Sequence, residues 1–94
     1  MTIYNVVIIT DNTEVIGRIT DVESYVDYDV AHDRFRKLRE THLSLLIHDP
    51  TYQDWKVRED EDFGFLMQND RGQYIDIGMF NTNLEVSNET YGNS

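Results

Sequence analysis

Four carboxylates, Asp21, Glu23, Asp27 and Asp29, occupy alternate or near-alternate positions of one short stretch. On an extended strand, residues two apart share a face and sit about 6.6 Å from each other. Successive phosphates of a nucleic-acid strand have a similar spacing, about 7 Å. An acidic face built this way is either the solvated side of a half-exposed strand or a decoy that fills a basic groove of a host protein. A second cluster, Arg34, Arg36, Lys37 and Arg39, is the one basic island of the chain. It reads either as a helix face neutralised by neighbouring acids or as a subunit contact that meets the acidic strand of a second copy.

Enzyme chemistry finds little to work with. Asp49 followed by Asp54-Trp55-Lys56 has the residue types of a nuclease Asp…Asp-x-Lys set, but Pro50 and the short spacing argue against it. His32, His42 and His48 lack the i,i+4 spacing of a zinc helix, so no metal site is expected. The run Glu59, Asp60, Glu61, Asp62 has no EF-hand spacing and reads as a solvated loop. The chain contains no cysteine, no Gly-rich phosphate loop and no Gly-x-Ser-x-Gly elbow. The expectation is a protein without catalytic residues and without a cofactor.

The chain has 94 residues and a formal net charge of −10. This charge disfavours nucleic acid and anionic membranes and steers toward basic partners, although it also simply keeps a small protein soluble. No apolar run approaches the roughly 20 residues of a membrane helix, so no membrane partner is expected. The expected location is cytoplasmic, the cytoplasm of a host cell included. A domain this small buries a limited core, which makes self-association attractive.

The elements that must hold these residues are mainly strands. Residues 3–10, IYNVVIIT, are β-branched and aromatic and read as a buried strand. Asp11-Asn12 is a turn signal, and the chain returns from Glu14 through Gly17. The pattern from Asp21 to Val30 has period two, with Val22, Ser24, Val26, Tyr28 and Val30 opposite the acids, so the second strand is extended to about Val30. Ala31, Phe35, Leu38, His42, Leu45 and Leu46 share a helical face, which predicts a helix around residues 31–40, with 41–48 open between helix and strand. His48-Asp49-Pro50 ends that element. DFGFLMQ and QYIDIGMF read as paired strands around an NDRG turn with Gly72 in the left-handed position. Leu84 and Val86 suggest a short last strand. Residues 1–86 form the expected single domain, and 87–94 a flexible C-terminal tail.

The stretch NVVIITDNTEVIGRITDVESYVDYDV resembles the first motif of the Sm/LSm family. Gly17 stands at the bend glycine, Glu23 at the family's Asp, Tyr25 at the aromatic position and Asp27 at the Asn position. Arg71-Gly72, followed by Ile75 and Ile77, is similar to the second motif. Within the family the chain looks most like the small acidic Sm-like proteins of cyanophages.

The resemblance implies a strongly bent five-stranded antiparallel sheet forming a small Sm/SH3-like barrel, with the 31–40 helix as an insertion. It implies a ring of identical subunits joined by edge strands, acting as an assembly scaffold or holding single-stranded RNA. In that role Tyr25 would stack a base, Glu23 and Asp27 would line the pocket, and Arg71 with Gly72 would face phosphate. The alternative is the acidic decoy that binds a basic host protein through Asp21, Glu23, Asp27 and Asp29.

Overall fold

The computed structural model describes residues 1–12 and 17–83. Strand β1 (Thr2–Asn12) and strand β2 (Gly17–Tyr25) form an antiparallel hairpin, with Asn12 opposite Gly17. Helix α1 (Tyr28–His48) follows, then a single 3₁₀ turn over Pro50–Tyr52. Strands β3 (Lys56–Glu61), β4 (Gly64–Gln68) and β5 (Tyr74–Asn83) complete the described elements. All pairings are antiparallel, and the sheet order is β2-β1-β5-β4-β3.

The first strand therefore ends up between its hairpin partner and the last strand. Its apolar run demands that position, because only an interior strand pairs both edges of such a segment. Alternation then divides the sheet into two faces. On one face Val6, Ile75, Ile77, Met79, Phe65 and Met67 meet Ala31 and Phe35 of α1, and all eight are buried. Leu38, Leu43 and Leu46 continue the helical stripe, and Tyr52 with Trp55 closes the far end. The core is helix on sheet.

The expected five-stranded antiparallel sheet is present; among the described residues it does not close, and the barrel implied by the resemblance is not seen. β2 and β3 are opposite edges. The physical reason is α1: a helix of 21 residues is about 30 Å long. It carries the chain from one edge to the other across one face. The apolar residues that would fill a barrel are covered by that helix instead.

Two further expectations change. The second strand stops at Tyr25, and the helix begins at Tyr28, not near residue 31. Asp27 is the N-cap: its carboxylate accepts hydrogen bonds from the backbone N–H of Asp29 (2.8 Å) and Val30 (3.3 Å). The helix then runs unbroken to His48, including the segment 41–48. It stops where expected, with Asp49 accepting from Thr51 N–H (2.9 Å) ahead of the proline-led turn.

The acidic run is not a loop either. Glu59, Asp60 and Glu61 belong to edge strand β3, every residue of which is exposed. The β3–β4 register shifts between Val57 and Glu59, leaving Arg58 as a bulge. Asp11 and Asn12, read as a turn, are the last residues of β1 and pair with Arg18 and Gly17. The expected Leu84–Val86 strand and the 87–94 tail lie outside the described residues.

Candidate functional site

The residues singled out by the resemblance separate into two groups. Tyr25 pairs with Tyr4 at one end of the sheet. Arg71 and Gly72 occupy the β4–β5 turn, next to Tyr74, which pairs with Asp11. The seven-residue step along β1 from Tyr4 to Asp11 covers roughly 23 Å. A single copy of the chain does not bring Tyr25 and Arg71 to one nucleotide.

Each of these residues also has a local structural engagement. The Tyr25 hydroxyl donates to Glu23 Oε1 at 2.8 Å. Arg34 donates from Nε to Oε1 (2.8 Å) and from Nη2 to Oε2 (3.1 Å) of the same carboxylate. The Arg34 guanidinium and the Tyr25 hydroxyl hold Glu23 below the usual carboxylate range, and Glu23 in turn raises the Tyr25 phenol. Arg71 lies 3.4 Å from Asp54. Gly72 has φ of +85°, a conformation that favours glycine, in a turn built on Asn69. Asn69 is buried, and its Oδ1 accepts from the backbone N–H of Arg71 (2.9 Å) and Gln73 (3.0 Å).

The ladder of four acids is likewise divided. Asp21 and Glu23 lie on β2, but Asp27 caps α1 and Asp29 sits in its first turn. There the partial positive charge of the helix N-terminus attracts them. The expected single acidic face over Asp21, Glu23, Asp27 and Asp29 is corrected accordingly. The apolar alternate of that stretch points the other way: Val22 is on the face without a helix and is 57% exposed.

The basic island is absorbed inside the chain. Arg34 grips Glu23 of β2, and Arg39 grips Asp60 of β3, with Nη2 to Oδ2 at 2.6 Å. Arg36 and Lys37 both pair with Asp33. Arg39 lowers the Asp60 carboxyl, and Lys37 with Arg36 lowers that of Asp33. The bulge at Arg58 makes the second clamp possible. It shifts Asp60 onto the helix side opposite Phe65, and leaves Glu59 and Glu61 on the other face.

That other face is the surface the sequence reading missed. From β3 to β2 it carries Glu61, Gly64, Gly78, Val7 and Val22 in one row, and Glu59, Leu66, Asp76, Ile9 and Thr20 in the next. No described element covers it. Phe80, 61% exposed, lies over Gly78, where an added Cβ would come within 2.7 Å of the ring. Among the described residues, Glu59, Glu61, Asp62 and Asp76 have no ion-pair partner. The signal for this site was the pair of strand glycines, Gly64 and Gly78: Gly78 makes room for the Phe80 ring, and Gly64 leaves open space.

The nuclease-like set has other duties: Asp49 caps the 3₁₀ turn and Asp54 meets Arg71. No group of three His, Cys, Asp or Glu side chains converges on a metal position among the described residues. No helix among them is long and apolar enough to cross a membrane. Compared with models of protein families, with curated proteins and with solved structures, the chain matches none.

Proposed function

We propose that the chain is a non-enzymatic binding protein whose partner is a basic surface of another protein. One observation carries this reading: Glu59, Glu61 and Asp76, none of them with an ion-pair partner among the described residues, lie together on the sheet face that no described helix covers. Arg34, Arg36, Lys37 and Arg39 are engaged with internal acids, so the surplus negative charge is presented outward. Long-range attraction to a basic partner then adds to burial of the apolar part of the face. The acidic decoy reading is thus kept, with its face moved from β2 to β3 and β5. The test is a titration of the full chain with a short arginine–valine peptide and with uridine-rich RNA, each at low and raised salt. Salt-sensitive binding of the peptide with none of the RNA supports the reading, and the reverse overturns it.

A second reading retains the Sm-like ring, bound to single-stranded RNA or serving as a scaffold. It is favoured by the two sheet edges, β2 and β3, which no described strand pairs and which suit pairing with another copy. Alternation across the five strands makes these edges run in the same direction. A head-to-tail ring that continues the sheet therefore pairs them in parallel. Gel filtration with light scattering decides: a closed oligomer of several subunits supports this reading, and a monomer removes it.

A further inference from the structure

We infer that the glycine-floored trough between β3 and β5, on the face opposite α1, is a docking site for an arginine or lysine side chain carried on an apolar segment of a partner protein. The inference rests on the reading of this chain as a binder of basic proteins and gives that reading a place.

Gly64 and Gly78 are directly opposed on neighbouring strands; the Phe80 ring lies over Gly78, and Gly64 is the open part of the floor. The resulting depression has a volume of about 600 Å³. Glu59 and Glu61 rise along one side and Asp76 on the other, all on the same face as the glycines. Phe80, 61% exposed, forms the aromatic end, next to Phe63, whose ring also meets His32 of α1.

The chemistry of this lining favours one kind of occupant. A guanidinium or ammonium group placed over Gly64 meets Glu59 and Glu61 on one flank, Asp76 on the other and the Phe80 ring beside it, whose quadrupole attracts cations. The aliphatic stem of the same side chain suits the glycine floor. Beyond the trough, Val7, Ile9, Val22 and Leu66 continue the surface with apolar groups, half-buried or exposed. They give the flanking residues of the partner segment something to cover. Charge complementarity selects such a segment over a second copy of this chain. Two copies face to face would bring Glu59, Glu61 and Asp76 against an equally acidic surface.

Gly64 supplies a clean test. A Cβ built there meets nothing within 4 Å, and the backbone is not in the left-handed region. Gly64→Val fills the trough without a steric conflict, and a β-branched residue suits a strand. The full chain, ¹⁵N-labelled, is titrated with the short arginine–valine peptide. The expected result is amide shifts centred on Gly64, Gly78 and Phe80, with affinity reduced about tenfold or more in Gly64→Val. Thermal denaturation shows whether that variant folds. If it does not, the pair Glu61→Gln and Asp76→Asn replaces it, with the same loss expected. Peptide binding with shifts elsewhere and unchanged affinity in the variants overturns the trough but leaves the broader function standing. No peptide binding at low salt overturns both. Concentration-dependent dimerisation that Val22→Lys abolishes, without peptide binding, assigns the face to a second copy and also overturns the inference.

Discussion

The Arg34 guanidinium holds the Glu23 carboxylate through two parallel hydrogen bonds, and so ties α1 to edge strand β2. Five residues further along the helix, Arg39 does the same to Asp60 of β3 at the opposite edge. The two clamps span the sheet. Bidentate pairs fix geometry as well as contributing energy, so together they set how α1 crosses the strands. Arg34 and Glu23 are both partly solvated, which keeps the energy modest. A double-mutant cycle with Glu23→Gln and Arg34→Met, read by urea denaturation, is expected to give a coupling of about 0.5–1 kcal/mol.

These clamps make stability fall in acid. The carboxyls of Glu23, Asp33 and Asp60 are all held below their ordinary values by their arginine and lysine partners. A depressed folded-state value means that the unfolded chain takes up protons first as pH falls. The stabilisation is complete above the ordinary carboxylate range and is lost as pH drops through the lowered folded values. Denaturation midpoints measured from pH 7 downward are expected to decline through and below that range. Glu23→Gln with Asp60→Asn should flatten the decline.

Phe35 is the aromatic anchor of the helix-on-sheet core, buried against the β4 and β5 side chains. Phe35→Ala leaves a cavity that the rigid sheet cannot collapse, and is expected to cost about 3–5 kcal/mol. Loss of the cooperative transition in urea would be consistent with that figure in so small a domain. A drop under about 1 kcal/mol would show that α1 is not seated as described.

Strands β1, β4 and β5 were legible because their side chains alternate cleanly or run continuously apolar, and the Asn69–Gly72 turn has a residue type for each of its backbone demands. The start of α1 was hidden. The period-two pattern of β2 carries on past Tyr25 to Val30, and the N-cap Asp27 lacks the glutamate three residues on that would complete a capping box. β3 was hidden by its charges, which blunt an edge strand and look like a loop. The candidate site was harder still. Tyr25 and Arg71 lie at opposite ends of the sheet, which no residue type near either of them signals. The bulge that sends Asp60 to one face and Glu59 with Glu61 to the other has no signature in the residues around Arg58.

The N-cap itself is testable. Asp27→Ala removes the acceptor for the Asp29 and Val30 amides and is expected to cost about 1 kcal/mol. Asp27→Asn should recover most of that loss, because an amide oxygen caps as well. Under the Sm-like reading the Asn variant would instead act on RNA affinity, restoring the amide that the family carries at this position.

Tyr25 separates packing from recognition. Its ring packs beside the core and its hydroxyl donates to Glu23, so the residue has a structural duty whatever it binds. Tyr25→Phe keeps the ring and loses one charge-assisted hydrogen bond, so its denaturation midpoint is expected to fall slightly. Tyr25→Ala loses the ring as well and costs more, and it also loosens the end of β2. For RNA the two variants diverge from that order. A base stacked on Tyr25 is held by the ring face, so Tyr25→Phe retains the affinity for uridine-rich RNA and Tyr25→Ala abolishes it. If the residue serves the fold alone, RNA titrations of both variants match the parent while their denaturation midpoints fall in the order Phe, then Ala. Denaturation and titration performed on the same two proteins therefore assign Tyr25 to one role or the other.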